Sequence, residues 1–236
     1  MVDASAQESI LRKKPDAYTQ AEKFFHTGDY GNAKRLYHEV LSQRPSDTLN
    51  SEVLYRLGQI DYRNNSCVTA ISFFNFLLDK YPRTPLYHPA RFRMAVCLFK
   101  MESYPEAAEI FANEVNSNPD TYHRWQSLFY LSQIDDKRMD FEIAIGKLRR
   151  IYLESNNEEL KKHAGQVIRE IIHERLSTEQ IISLNLKYQD KFPADWLLLE
   201  LISLYRAERD NQNYATSLND FIRRFPAHPE RAQIEA

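Results

Sequence analysis

Seven histidines, at positions 26, 38, 88, 123, 163, 173 and 228, are the side chains of this sequence best suited to hold a metal ion or move a proton near neutral pH. None falls in the i, i+4 arrangement about a glutamate that puts two imidazoles on one face of a zinc-binding helix, and His173, in IIHERL, lacks the second histidine. Cys67 and Cys97, the two cysteines, have no metal or redox spacing and read as buried thiols, with a disulfide open to them in an oxidising compartment. The glycines, at 28, 31, 58, 146 and 165, form neither a dinucleotide-binding G-x-G-x-x-G nor a Walker loop, so a nucleotide has no seat. No serine stands in a recognisable arrangement with a histidine and an acid. These observations predict no catalytic residue, no cofactor and no metal: a protein that is not an enzyme.

The chemistry that does recur is aromatic and basic. Tyr18, Tyr55, Phe92 and Phe129 are spaced by 37 residues, as are Phe25, Tyr62 and Phe99. Arg56, Arg63, Arg93 and Lys100 lie beside them. Tyrosine and arginine dominate interface hot spots, and such a column would suit an extended or helical segment bearing acidic and apolar groups. The same regularity fits rings that pack between successive helices and arginines that are solvated, so both readings stand at this point.

The elements that carry this column follow from an internal repeat. The segments GDYGNAKRLYHEVLSQRP, NSCVTAISFFNFLLDKYP, ESYPEAAEIFANEVNSNP and MDFEIAIGKLRRIYLESN begin at 28, 65, 102 and 139, a constant step of 37. Ala33, Ala70, Ala107 and Ala144 coincide, as do Tyr37, Phe74, Phe111 and Leu148. Each repeat reads as two helices: the first has apolar residues at helical spacing (Leu54, Leu57, Ile60; Met94, Leu98), and a short polar turn leads to the second. Ser103 with Glu106, Ser155 with Glu158 and Ser177 with Gln180 have the spacing of capping boxes. Pro45, Pro82, Pro119, Pro193 and Pro226 end the repeats, because proline cannot continue a helix and pushes its predecessor out of helical geometry.

With these residues in place, the sequence resembles the tetratricopeptide repeat family, whose pattern pairs a small residue and an aromatic in the first helix with a Tyr, an Ala and a closing Pro. The resemblance implies an all-α, right-handed superhelical solenoid of about six helical hairpins (repeats about 14–47, 51–84, 88–121, 125–156, 158–193 and 195–226), with 1–13 as an N-terminal segment or a capping helix and 227–236 as a tail or the start of a following segment. The fifth repeat slips in register. The resemblance also implies a concave side lined by first helices, and so a protein or peptide partner at Tyr18, Tyr55, Arg56, Gln59, Tyr62, Arg63, Phe92, Arg93, Phe99 and Lys100. The longer period and endings such as LLDKYP and FIRRFPAHP are similar to tetratricopeptide proteins of the bacterial cell envelope: outer-membrane-assembly lipoproteins, a periplasmic Tol-associated protein and the helical modules of penicillin-binding-protein activators. They imply a periplasmic or outer-membrane-associated scaffold, or a regulatory module of a larger envelope protein.

The bulk numbers bound these readings. Thirty-one Lys and Arg against 33 Asp and Glu give a net charge of -2, which disfavours nucleic acid as partner. The longest apolar stretch, WLLLELISLY, is interrupted by Glu200 and is far shorter than the roughly 20 residues of a membrane span, so no membrane insertion is expected. The opening MVDASAQESILRKK has no secretory apolar segment, which fits a cytoplasmic protein or a removed signal. A cytoplasmic adaptor, or a homodimer joined through WLLLELISLY, is the remaining reading.

Overall fold

A computed structural model describes residues 15–118 and 120–234; segment 1–13 and Pro119 lie outside the described residues. Among the described residues there are thirteen helices and no strand, so the fold is all-α. The chain divides into two compact units at Pro119. The first holds α1 (Asp16–Thr27), α2 (Tyr30–Ser42), α3 (Asp47–Arg63), α4 (Cys67–Lys80), α5 (Tyr87–Lys100) and α6 (Tyr104–Ser117). Here each helix packs on the next, and the first helices α3 and α5 also touch. The second holds α7 (Thr121–Lys137), α8 (Phe141–Glu154), α9 (Glu158–Glu174), α10 (Thr178–Tyr188), α11 (Ala194–Glu208), α12 (Asn211–Arg224) and the short α13 (Arg231–Ile234).

The repeat acquires a physical cause at the hairpin turns. Gly28, Asn65, Glu102 and Met139, the first residues of the four aligned segments, all have positive φ (83°, 58°, 61° and 64°). Each follows a first helix and reverses the chain in a Schellman turn. Its signature bond recurs from Asp29 N to Phe24 O, Ser66 N to Asp61 O, Ser103 N to Leu98 O and Asp140 N to Asp135 O. Arg209, with φ 60°, and the bond from Asp210 N to Tyr205 O make the same turn between α11 and α12. Only the first of these positions is glycine, the residue that adopts positive φ without steric cost. Replacing the exposed Met139 by Gly should therefore raise the urea midpoint, by about 1 kcal/mol of added stability.

The fifth turn keeps the signature bond, from Leu176 N to Ile171 O at 3.2 Å, but lacks the left-handed residue. Leu176, 37 residues after Met139, is not among the residues with positive φ, and α9 and α10 do not approach each other as closely as the other hairpin pairs. Instead α9 packs on α8 and α11, and α10 packs on α11. The register slip read from the sequence is thus a different turn, which opens the surface of α9.

The recurring alanines 33, 70, 107 and 144 are fully buried where helices cross, as are Tyr37, Phe74, Phe111 and Leu148. Close crossing needs a small side chain on one helix and a large one to fill the space beside it. The capping expectations hold unevenly. Ser177 and Gln180 form the full box, whereas Ser103 makes no side-chain cap. Ser155 ends α8, and Asn157 caps α9 by accepting from Leu160 N, because the chain turns two residues later than the spacing suggests. Pro89 falls in the first turn of α5, where its missing N–H costs no helical bond.

Candidate functional site

The aromatic–basic column falls on α1, α3 and α5 of the first unit, apart from Phe129, which is buried on α7 of the second, and most of it is already engaged there. Tyr18, Tyr55, Gln59 and Phe92 are buried. The Tyr18 hydroxyl donates to Glu52 across the α1–α3 boundary at 2.9 Å. Tyr55 and Phe92 turn into their own hairpins, with ring centroids 6.1 Å from Phe74 and 5.9 Å from Phe111. These four expected contact residues form the wall of the face and offer little area, because the ring at this register fills the crossing between first and second helix.

Arg56 is neutralised within the chain. Its Nε and Nη2 each donate to Glu22 at 2.9 Å and its Nη1 donates to Gln59 at 2.8 Å, while the guanidinium lies 4.8 Å from the Phe25 ring centre. The Tyr37 hydroxyl also donates to Glu22. Burial by itself raises the Glu22 carboxyl, but the Arg56 and Tyr37 hydrogen bonds and the Arg56 charge together hold it below the ordinary carboxylate value. Burial and the neighbouring carboxylates push the Tyr18 and Tyr37 phenols far upward, so both remain donors. Because folding depresses the Glu22 pKa, its contribution to stability is full above the ordinary value of about 4.3 and is lost as pH falls through the depressed one. Urea midpoints taken at neutral pH and near pH 3 should fall less between the two for Glu22→Gln than for the wild type.

The outer members of the column form a ladder between hairpins. Arg63 lies 5.1 Å from the Phe25 ring centre, Arg93 5.3 Å from Tyr55 and Lys100 4.8 Å from Tyr62. In each case the cation sits 38 positions after its ring, so one hairpin's base covers the preceding hairpin's aromatic. Arg63 also donates to the Tyr30 hydroxyl at 2.8 Å, Arg93 to the Tyr55 hydroxyl, and Lys100 to Asn65 at 3.2 Å. Arg63 and Lys100 are exposed, whereas Tyr62, Arg93 and Phe99 are half-buried, Phe99 packing against Tyr104 at 5.6 Å. The contact area left to a partner is therefore the Arg63–Lys100 edge with the flanks of Tyr62, Arg93 and Phe99.

A second surface, in the second unit, went unread in the sequence. Along α9, Glu158, Lys161, Lys162, Gly165, Gln166 and Arg169 follow helical spacing and line a groove of about 490 Å³, walled by Tyr152 of α8 and Trp196 of α11. Gly165 opens its floor: a Cβ there would stand 3.0 Å from the Tyr152 ring and 3.4 Å from that of Trp196. Tyr152 stacks on Phe192 at 4.4 Å, and Trp196 meets Phe192 edge-on at 4.6 Å, which fixes the aromatic wall. Arg169 lies 4.1 Å over the Trp196 ring. Lys161 pairs with Glu158 at 2.9 Å, but Arg169 and Lys162 make no ion pair among the described residues. The signal was present in KKHAGQVIR, on a face away from the apolar residues Leu160, Ala164 and Ile168.

Cys67 and Cys97 are both buried and free. Burial, and then the adjoining Cys67 thiol, push Cys97 up to about 12, so it is un-ionised at neutral pH. Among the described residues no cluster of His, Cys, Asp and Glu could hold a metal ion, and no helix is long and apolar enough to cross a membrane. Neither a protein-family model nor a curated protein matches the chain.

Proposed function

We propose that the protein is a non-catalytic, tetratricopeptide-like scaffold that holds a partner polypeptide against its first helices. The observation that carries this reading is the ladder of Arg63, Arg93 and Lys100 on Phe25, Tyr55 and Tyr62. It joins three hairpins into one regular face on which the exposed Arg63 and Lys100 and the half-buried Arg93 are held over aromatic rings. Such pairs contribute about 0.5–1 kcal/mol each at exposed sites, and side chains already ordered lose less entropy when a partner binds. Arg63 and Lys100 are exposed, so their joint replacement by glutamate leaves the core untouched. Affinity capture of the partner by the intact protein should fail for Arg63→Glu with Lys100→Glu while the helical circular dichroism persists. Undiminished capture would reject this face. The bacterial envelope is the proposed setting, on the similarity of the repeat endings to envelope proteins. Fractionation of the native protein into the periplasm or outer membrane is expected, and recovery from the cytosol would favour the adaptor reading.

A further inference from the structure

We infer that the α9 groove of the second unit takes an internal acidic segment of a partner polypeptide, its carboxylates on Lys162 and Arg169 and a neighbouring large apolar side chain against Trp196 and Tyr152. This rests on the scaffold reading in taking a polypeptide as the occupant, but it concerns a different face from the first-helix ladder.

Charge comes first. Of the groove's three cations only Lys161 has an acidic partner, and that partner, Glu158, is exposed. Lys162 and Arg169 therefore offer positive charge that nothing in the groove balances. Glu200 and Glu230 share with Arg169 a smaller cavity of about 220 Å³. Glu200 is engaged by His173 at 3.0 Å.

The geometry of Arg169 narrows the ligand further. Arg169 sits with its guanidinium carbon 4.1 Å from the Trp196 ring centre and makes no ion pair among the described residues, and the planar fork of a guanidinium matches a carboxylate. A guanidinium held on a ring is also ordered before the ligand arrives, which lowers the entropic cost of binding.

Number and size argue for a peptide over a polyanion. Three cations fall short of the about 6–10 phosphate contacts that typical nucleic-acid binding uses, and the net charge of -2 provides no wider field to assist. A groove of about 490 Å³ is within the range of about 300–1,000 Å³ for ligand clefts, room for a few side chains. Tyr152, Phe192 and Trp196 form a fixed aromatic surface on which an apolar side chain next to the carboxylates would bury its area.

The test is calorimetric titration of the full chain with a synthetic peptide alternating glutamate and phenylalanine, acetylated at one end and amidated at the other so that only internal carboxylates are available. Saturable binding is expected, with a loss of about tenfold or more for Arg169→Gln, as for a charge-assisted hydrogen bond. Lys162→Gln should weaken binding and Gly165→Leu should block it by filling the floor. A peptide with glutamine for glutamate should not bind. Absence of binding by the acidic peptide, equal affinity for Arg169→Gln, or tighter binding of oligothymidylate or phosphatidylglycerol vesicles would each overturn the inference. The two proposals separate cleanly. Arg63→Glu with Lys100→Glu should leave peptide affinity unchanged. Loss of the peptide result with partner capture intact rejects the groove alone; the reverse pattern rejects the first-helix face alone.

Discussion

Glu114→Ala should lower the stability of the first unit by about 3 kcal/mol, the low end of the cost of breaking a buried ion pair. Glu114 is a fully buried carboxylate on α6 that accepts from Asn118 at 2.8 Å and pairs with His88 of α5 at 3.0 Å. Arg91 of α5 approaches its other oxygen at 3.5 Å, and that oxygen accepts no hydrogen bond. Removing the carboxylate takes away one acceptor of the Asn118 amide and the anion that Arg91 faces, and leaves a void between α5 and α6. His88 and Arg91 retain some access to water, which keeps the cost from the upper end of the range. Glu114→Gln retains the shape and an acceptor, so its loss should be smaller. Urea denaturation followed by far-UV circular dichroism separates the two.

Gly58→Leu should be comparably damaging by the opposite mechanism. A Cβ at position 58 would lie 2.5 Å from Cε1 of Phe74 and 2.8 Å from its Cδ1, well inside contact distance. Phe74 is fully buried at the α3–α4 crossing, so its ring cannot move out into solvent without leaving the core. Overpacking of this kind costs about 1–3 kcal/mol for added methylenes, and a leucine adds more than alanine. Gly58→Ala should accordingly fall in the lower part of that range. Combining Gly58→Ala with Phe74→Leu should cost less than the two single changes together, because each relieves the clash or cavity made by the other. Additive losses would show that the ring is not the obstacle.

The all-α fold was legible because a helical hairpin imposes two signals at once: apolar spacing along each helix and a fixed period between hairpins. Gly28, Asn65, Glu102 and Met139 illustrate what the period contained without displaying it. Four different residues share one left-handed turn, and only glycine announces it by type. Leu176 shows the converse, since a missing left-handed residue looks in the sequence like a mere slip of register.

The candidate surface was less legible, for a reason of geometry. A constant period marks where a residue sits within its hairpin, but interior rings and surface rings recur with the same step. Tyr55 and Phe92 are interior, while Arg63 and Lys100 on the same helices are exposed. Arg56 needed knowledge of Glu22, a residue 34 positions earlier, before its neutralisation could be seen. The α9 groove required Trp196 and Tyr152 to be brought beside Gly165 by packing of α8, α9 and α11, and no local spacing encodes that meeting.

The central claim, that the first-helix face of residues 15–118 holds a partner polypeptide, is tested most directly by a photo-crosslinking amino acid placed in the native protein at Arg63 or Lys100, with exposed second-helix positions Phe76 and Glu109 as controls. The account predicts one discrete protein adduct from positions 63 and 100 and none from 76 and 109. Adducts from the second-helix positions alone, or none from 63 and 100, would contradict it.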